Sequence, residues 1–496
     1  MLVGEQPASS GLGPDRLWCA AIALALAGCT VVPQRPAPEL ATPQAALLAR
    51  AATMDGATGL SHAPVPAAWW MLFNDGTLSE LQAEAAASNL DLQAAVARIE
   101  ESRAQLGLAR AAQAPQLAAE AGYARSAQSE YAPLARLGAP TTASSAWQLG
   151  LQAGWELDLW GHLRQLGVAA DARLQASGYG AQAVRISVAG DIARTYLLLR
   201  GAQAQLALAG QQRAIAADLV RLAESRRRHG VATRFEAAAA RAEVAVTDAR
   251  RAQLKQQRDA LMNALALLLG QAPRELDARL FDGAGPPPMP RELPIGVASE
   301  LASQRPDILR ADAQLRAALA DIGAAEADFY PRIRLTGSLG LQASALSDLG
   351  DWGARRYSLG PSLYLPLFDG GRLQSQLALT QARHRTAAIT YQQTVLNAWH
   401  EVDDALGAHV AERERHTQLT LAVAQQQAAL DVARRAWQEG TADFTAVLVA
   451  QRTLIAGQAM LSECATAAAL SVVALYRALG AGWSDALAEA PVRGKP

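Results

Sequence analysis

Strict alternation of apolar and polar residues between positions 147 and 159 limits the fold of this 496-residue chain more than any other feature. Successive side chains of a β-strand point to opposite faces, so this pattern predicts a strand with one apolar and one polar face. The odd positions hold Trp147, Leu149, Leu151, Ala153, Trp155, Leu157 and Leu159, and the even positions hold Gln148, Gly150, Gln152, Gly154, Glu156 and Asp158.

Three more segments alternate in the same way, and together they predict four strands, at about 115–125, 146–160, 331–344 and 356–368. Strands of about 10 residues with one apolar face are typical of a transmembrane β-barrel. The same alternation also occurs in soluble β-sandwiches, and Pro361 is an unfavourable residue inside a strand. We therefore expect a membrane barrel, with a soluble sandwich as the alternative.

Four strands are too few to close a barrel. An open sheet edge cannot face lipid, because each unpaired backbone group there costs several kcal/mol. Two copies of the chain supply eight strands, which enclose too narrow a space for a channel, whereas three copies supply twelve. The strand number therefore predicts a homotrimer that shares one 12-stranded barrel.

Two windows of the chain contain no proline, between Pro140 and Pro273 and between Pro366 and Pro491. A proline inside a helix costs roughly 3 kcal/mol, so these windows permit very long helices. We expect helices at 162–229 and 372–438, each about 100 Å long at 1.5 Å per residue. The alanine-rich composition, 51% hydrophobic but only 5% aromatic, also favours packed helices and a mainly α chain.

The two halves of the chain resemble each other. Gly230 and Gly440 are 210 residues apart, as are Gly270 and Gly480, and Arg164 aligns with Arg372 when similar residues are matched. This similarity predicts two tandem structural repeats. The domains are then a signal peptide at 1–28, a tether and equatorial segment at 29–75, a first repeat at 76–282, a linker at 283–296, a second repeat at 297–482 and a tail at 483–496.

The N-terminal region predicts a lipoprotein. Residues 17–28 are apolar but too short to span a bilayer, and they fit the core of a signal peptide after Arg16. Their last three residues together with the next one, Leu26-Ala27-Gly28-Cys29, resemble a bacterial lipobox, so we expect a covalent lipid on Cys29 and no other cofactor. The acidic Glu5 and Asp15 before this core suggest a translation start downstream of Met1. Cys464, the remaining thiol of the mature chain, is expected to be buried.

Composition and motifs argue against catalysis and nucleic-acid binding. A net charge of −1 gives no reason to expect a nucleic-acid partner. The sequence contains no P-loop, HExxH, GxSxG or dinucleotide-binding motif, so we expect no enzyme activity. We interpret His400, His409 and His416 as solvated helix surface rather than as metal ligands.

A glycine follows each long helix, with arginines in the preceding turn. Gly230 follows Arg226 to His229, and Gly440 follows the helix that contains Arg434 and Arg435. Glycine after a helix and cations in its last turn are ordinary capping features. The same residues also form the tip of each helical hairpin, where a partner protein could bind.

Several motifs resemble the TolC-like outer membrane factor family, most closely its lipoprotein branch of OprM- and NodT-like channels. The resemblance covers nearly the whole mature chain and rests on these segments taken in order: WWMLFNDGTL at 69–78, SNLDLQAAVARIEESRAQL at 88–106, RPDILRADAQLRAALADIGAAEADFYPRIRLTGSLG at 305–340, and LPLFDGGR at 365–372 as the counterpart of WELDLWGHLR at 155–164.

The resemblance implies a trimeric exit duct in the outer membrane that extends into the periplasm. It implies a periplasmic adaptor (membrane fusion protein) and an inner-membrane RND pump as partners. Adaptor docking is then expected at the tips, at Gly230 and Gly440 with Arg228 and Arg435. Glu236 matches an acidic pore-constriction position, whereas Val449 replaces a family aspartate, and Asp443 is a candidate substitute.

Three functions fit the sequence. The first is a passive outer-membrane exit duct for drugs or other small toxic compounds. The second is the exit duct of a type I protein secretion system, and the third is a structural envelope lipoprotein that conducts nothing. The lipobox and the WWxxF segment favour the first.

Overall fold

The computed structural model describes residues 59–133, 135–230, 233–283, 285–296, 305–442 and 444–482, and it is about 68% helical. The long helices are α1 (Gly76–Ser88), α2 (Leu90–Ala111), α3 (His162–Arg228), α4 (Arg234–Leu268), α5 (Pro306–Ala327), α6 (Arg372–Gln438) and α7 (Phe444–Ala478). The long strands are β1 (Gln116–Ser126), β2 (Ser144–Leu157), β3 (Arg332–Ala343) and β4 (Arg355–Tyr364).

Short elements complete the described part of the chain. The strands Leu60–Ser61 and Leu293–Pro294 pair in parallel. Single helical turns occur at Trp69–Phe73, Ala135–Leu137, Asp277–Leu280, Leu346–Asp348 and Trp352–Ala354. The predicted signal peptide, Cys29, Asp443 and the tail at 483–496 lie outside the described residues.

The four long strands form one antiparallel sheet in the order β1-β2-β3-β4. Gln116 of β1 faces Gly154 of β2, Leu157 of β2 faces Ile333 of β3, and Arg332 of β3 faces Tyr364 of β4. Pro361 therefore lies in an edge strand, where a missing backbone N–H is tolerated.

Two strands end at least three residues before the ends that the sequence predicted. The strand expected to continue to residue 160 ends at Leu157, because Asp158 turns to cap the following helix. The strand expected to continue to residue 368 ends at Tyr364, before Pro366, which has no N–H to donate. Leu367 and Phe368 are left 91% and 93% exposed.

The elements of the two halves match in length. The helices α3 and α6 have 67 residues each, and α4 and α7 have 35 each. The two helices start at residues 162 and 234 in the first half and at residues 372 and 444 in the second half, a shift of 210 residues in both cases. By the start of the helix, the position of Arg372 therefore corresponds to His162 rather than to Arg164. The alignment of similar residues was therefore displaced by two positions, which was wrong. Because strand side chains alternate with a period of two, a displacement of two residues leaves every side chain on the same face of the sheet.

The chain folds into two compact units, and each unit draws on both halves of the sequence. The first unit contains Glu101–Gln175 and Ala313–Ile389, and therefore the whole four-stranded sheet. The second unit contains the described residues of Glu39–Glu100, Ala176–Asp312 and Thr390–Pro496. Sequence similarity and spatial packing thus group the residues differently.

Aromatic residues anchor the core of the second unit. Trp69 is 1% exposed and stacks on Tyr476 with 5.4 Å between ring centroids. Asp75 caps α1 by accepting from the Leu78 N–H at 2.9 Å, and it also accepts the Tyr196 hydroxyl at 2.7 Å. Burial and this hydrogen bond to Asp75 raise the pKa of Tyr196 to about 12. The segment before α1 is therefore fixed to α3 and α7.

Helix α7 packs closely against α3. A Cβ at Gly201 would lie 2.5 Å from the Thr466 hydroxyl, so this glycine permits the approach. Among the described helices, only Thr445–Ala478 is long and apolar enough to cross a bilayer, with a mean hydropathy of 1.5. Half of its apolar window is buried within the chain, as in a core helix.

Candidate functional site

The register of the four strands places apolar side chains on one face of the sheet and polar side chains on the other. One cross-strand row contains Ala119, Leu151, Leu339 and Tyr357. The adjacent row contains Ala118, Gln152, Ser338 and Ser358. The alternation seen in each strand is thus aligned across all four, as in a sheet that faces lipid on one side and water on the other.

Aromatic residues mark both ends of the apolar face. At the loop end, Tyr123 and Trp147 pack with ring centroids 4.4 Å apart. At the helix end, Trp155 Nε1 donates to the Gln113 carbonyl at 2.9 Å. Aromatic bands at both ends of an apolar stripe are characteristic of membrane barrels, where these rings lie at the two lipid–water interfaces.

Charges of both signs lie on the polar face. Glu156 faces Arg334 across β2 and β3, Glu120 accepts a hydrogen bond from Gln152, and Arg356 donates to Gln342 at 2.7 Å. A shallow cavity of about 160 Å³ on this face is lined in part by Glu120, Gln152 and Arg356. The face is polar without strong net charge.

Each long helix that follows the sheet is capped by an aspartate. Asp158 accepts from the Leu163 and Arg164 N–H groups at 3.1 and 2.7 Å. Asp369 accepts from the Gly371 and Leu373 N–H groups at 3.0 and 2.9 Å. The hydrogen bond from the Leu373 N–H is the main cause of a lowered pKa of Asp369. Such caps satisfy helix N–H groups that have no partner within the helix.

The two halves also meet at the helix end of β2 and β3. Trp160 Nε1 donates to the Pro331 carbonyl at 2.8 Å, and its ring stacks on Tyr330 at 4.9 Å. His162 Nδ1 lies 2.8 Å from Asp328 Oδ1 and 3.1 Å from the Ala324 carbonyl at the end of α5. This junction was not predicted, because its partners are about 165 residues apart.

The first tip contains Arg228, Gly230 and Glu236. Gly230 adopts a φ of 76°, the left-handed region that favours glycine, and its N–H donates to the Arg227 carbonyl at 3.1 Å. Arg228 is exposed. Glu236 is exposed in the first turn of α4, where its N–H donates to Thr233 Oγ1 at 3.3 Å. In this chain Glu236 therefore takes part in a helix cap.

The second tip contains Arg435 and Gly440. Gly440 has a φ of 73°, and its N–H donates to the Trp437 carbonyl at 3.1 Å. Arg435 Nε donates to the Asp431 carbonyl at 3.3 Å. Within the described part of the chain, no ion pair or hydrogen bond joins Arg435 to Arg228 or Glu236. Docking at the tips and constriction by Glu236 or Asp443 stay predictions.

One interpretation of the histidines was wrong. His409 is 1% exposed rather than solvated, because this face of α6 packs on α7, and its Nδ1 lies 3.0 Å from Ser471 Oγ. Burial lowers the pKa of His409 to about 4. Cys464 is buried, as predicted. Among the described residues, no group of three or more histidine, cysteine, aspartate or glutamate side chains is placed to hold a metal ion.

A sheet with one apolar face and aromatic side chains at both of its ends is typical of a membrane barrel, and helices of 67 residues next to it are those of a TolC-like outer-membrane channel. The family model described as outer membrane efflux protein matches residues 81–271 and 297–481. The chain belongs to this family, whose members are efflux channels rather than enzymes.

Known relatives agree with this assignment. Outer membrane protein OprJ of Pseudomonas aeruginosa is 34% identical over 471 residues, which cover 94% of this chain and 95% of OprJ. The probable outer membrane lipoprotein SilC of Salmonella typhimurium is 29% identical, and the alignment covers 93% of this chain and 97% of SilC. The solved outer-membrane channel OprN superimposes with a TM-score of 0.82 at 30% identity, covering 92% of this chain and all of OprN. The protein is an outer-membrane exit duct for efflux.

Proposed function

We propose that three copies of this chain close one 12-stranded barrel, which opens into a tube formed by their helices. The open sheet edges carry this proposal. In the chain's own sheet β1 and β4 are edge strands, and the apolar face beside them exposes Leu117, Tyr357 and Leu359 by 70–79%. Lipid can cover the apolar side chains, but only another strand can satisfy the backbone groups.

The matched halves support the same proposal. The equal lengths of α3 and α6, and of α4 and α7, support two tandem repeats. Three copies then place six similar hairpins around one axis, which is an ordinary closed symmetry for a homo-oligomer.

A periplasmic adaptor and an inner-membrane RND pump complete the proposed assembly. The helices α3 and α6 are each about 100 Å long at 1.5 Å per residue, a length suited to reaching far into the periplasm. Gly230 and Gly440, with Arg228 and Arg435, form the surface offered to the adaptor. The duct itself is passive, and the pump supplies the energy.

The proposed cargo consists of drugs or other small toxic compounds. Charges of both signs on the polar face, among them Glu120, Glu156, Arg334 and Arg356, suit a lumen that admits varied solutes without binding one tightly. Export of a protein by a type I secretion system is the alternative.

A lipid on Cys29 is proposed as the anchor of the N-terminus in the outer membrane. The lipobox residues are the main support for this proposal, and the relative SilC is itself described as a probable outer membrane lipoprotein. Metabolic labelling with a palmitate analogue is expected to label the wild-type band and not that of Cys29→Ser. Equal labelling of both bands excludes this anchor.

Conductance and drug susceptibility test the proposed duct. Purified protein is expected to have the mass of a trimer in detergent and to form channels in planar bilayers. A deletion strain is expected to become more sensitive to a panel of toxic compounds, and complementation restores resistance. Trimers that never conduct indicate a structural lipoprotein, and unchanged susceptibility with loss of one exported protein indicates secretion.

A further inference from the structure

The charged side chains on the polar face of the sheet are divided between its two hairpins. Acidic residues of this face occur only on β1 and β2, as Glu120 and Glu156, whereas cationic residues occur only on β3 and β4, as Arg332, Arg334 and Arg356. Glu156 and Arg334 are direct neighbours across β2 and β3. Glu120 and Arg356 lie on the two outer strands instead, and neither forms an ion pair with another described residue.

One cross-strand row places this acid and this base at opposite ends of a gap. The row crosses the four strands as Glu120, Gly150, Gly340 and Arg356. Neighbouring strands are about 4.8 Å apart, so three spacings separate the backbones of Glu120 and Arg356 by about 14 Å. The two glycines between them have no side chain, so the floor of the gap is bare backbone.

Close packing of β2 and β3 explains why glycine occupies both middle positions. A Cβ at Gly340 would lie 2.6 Å from the Leu149 carbonyl oxygen, and a Cβ at Gly150 would lie 3.2 Å from the Leu339 carbonyl oxygen. A larger residue at either position would push the two strands apart. The same absence of side chains leaves room for the shallow cavity of about 160 Å³ on this face.

Hydrogen bonds hold the two charged side chains at the rim of this cavity. Glu120 accepts from Gln152, its diagonal neighbour towards the helix end, and Arg356 donates to Gln342 at 2.7 Å towards the loop end. A carboxylate has two acceptor oxygens and a guanidinium has five N–H donors, so each group keeps capacity for another partner. Both side chains are exposed. The cavity therefore has one acidic and one basic end, both open to a solute.

We propose that this cavity is a docking point for zwitterionic solutes that pass along the polar face of the sheet. The ammonium group of the solute lies at Glu120, its carboxylate lies at Arg356, and its middle part covers the two glycines. An extended chain of three residues spans about 10 Å, which fits the gap once both charged side chains are included. A solute with a single charge satisfies only one end. This inference rests on the proposed duct and names zwitterions as a substrate class.

Binding at this site is expected to be weak and brief. Both charges are exposed to water, where an ion pair contributes little. Salt also screens the attraction, because the Debye length falls from about 10 Å at 0.1 M to about 3 Å at 1 M ionic strength. Brief occupancy suits an exit duct, since it enriches a solute at the wall without retaining it.

Saturation-transfer NMR with the full-length protein in detergent tests the site, because this measurement does not require an open channel. The probe is trialanine, which has an ammonium group at one end and a carboxylate at the other. N-acetyl-trialanine keeps only the carboxylate, and trialanine amide keeps only the ammonium group. We expect wild type to bind trialanine roughly two- to fivefold more tightly than either analogue, the effect of one exposed ion pair. The difference is expected to vanish in about 1 M KCl.

Substitutions test which residues form the two ends. Glu120→Gln and Arg356→Gln each remove one charge and are expected to weaken trialanine binding by the same factor. Glu156→Gln and Arg334→Gln each remove one charge from the same face outside the row, and they are the matched controls. The double variant Glu120→Arg with Arg356→Glu exchanges the two ends and is expected to bind trialanine in the reverse direction. Each single exchange leaves two like charges and is expected to bind it poorly.

The outcomes separate this site from the proposed duct. Equal binding of the three probes by wild type overturns the site and needs no variant. Equal binding of trialanine by wild type, Glu120→Gln and Arg356→Gln also overturns it. Either result leaves the duct intact when the same protein conducts in planar bilayers. Trialanine binding by protein that never conducts overturns the duct, and with it the role of the site in export.

Discussion

The imidazole of His162 and the carboxylate of Asp328 form an ion pair of 2.8 Å in which each side chain is less than a fifth exposed. The hydrogen bond to Asp328 is the main cause of a raised pKa of His162, and it outweighs the opposing effect of burial. Burial alone would raise the pKa of Asp328, but hydrogen bonds from His162 and Arg332 lower it. Two residues from opposite halves thus hold the helix end of β2 and β3 together.

This pair predicts stability that falls as the pH rises. A histidine with a raised folded-state pKa contributes fully below its unfolded pKa of about 6.5, and the contribution is lost as the pH rises through the folded pKa. We expect a lower melting temperature at pH 9 than at pH 6. His162→Gln is expected to cost about 2 kcal/mol at pH 6 and to remove this part of the pH dependence. His229→Gln, at an exposed tip position, is the control, and an unchanged pH profile for His162→Gln contradicts the prediction.

The two faces of β2 predict opposite responses to an added charge. Leu151→Arg places a cation on the apolar face and is expected to cost about 2–4 kcal/mol if that position lies near the bilayer midplane. Gln148→Arg, three residues away on the polar face, is expected to fold nearly as well as wild type. The assembly of each variant is measured as the amount of heat-modifiable protein in outer-membrane fractions. Equal assembly of the two variants would mean that lipid does not contact the Leu151 face.

Substitution of Arg305 is expected to lower the free energy of unfolding of the second unit by a large amount. Its buried guanidinium donates to Asp307 at 2.7 Å, to Glu401 at 2.7 Å and to the Ala478 carbonyl at 2.7 Å. Arg305→Ala leaves the half-buried Asp307 without its cation and is expected to cost about 3 kcal/mol in denaturant unfolding. Glu401→Gln alters a more exposed partner and is expected to cost less than about 1 kcal/mol. A smaller loss for Arg305→Ala than for Glu401→Gln contradicts this account.

The tip glycines predict a local effect on partner binding. A Cβ at Gly230 or Gly440 meets no atom within 4 Å, so Gly230→Val and Gly440→Val strain only the backbone, by about 1–2 kcal/mol each. We expect weaker co-purification of the adaptor while trimers persist. Gly210→Val, inside α3 and also in open space, is the control. Normal adaptor recovery with both tip variants argues against docking at the tips.

The local spacing of apolar residues predicted the long helices and strands, because these elements depend on residues close together in the sequence. The predicted helices 162–229 and 372–438 are observed as His162–Arg228 and Arg372–Gln438. The ends of β2 and β4 were less accurate, because capping by Asp158 and the missing N–H of Pro366 override a pattern of apolar residues. Family motifs identified the class of channel, whereas the tip and constriction residues stay predictions.

The sequence did not predict contacts between residues that are far apart in the chain. No local signal distinguishes the buried His409 from the exposed His400, because burial depends on which face of α6 meets α7. The pairing of His162 with Asp328 joins residues 166 positions apart, and the stacking of Trp69 on Tyr476 joins residues even more distant. Such contacts depend on how the helices pack, which alternation and helix length do not specify.

The amino-acid order by itself determined two-sided strands, uninterrupted helices and glycine-capped tips, since each follows from backbone geometry and the spacing of side chains over a few turns. Only the tertiary structure decided that β2 pairs with β3 across the two halves, that each compact unit draws on both halves, and which polar side chains are buried. The physical reason is that these features depend on contacts between surfaces formed by residues far apart in the chain.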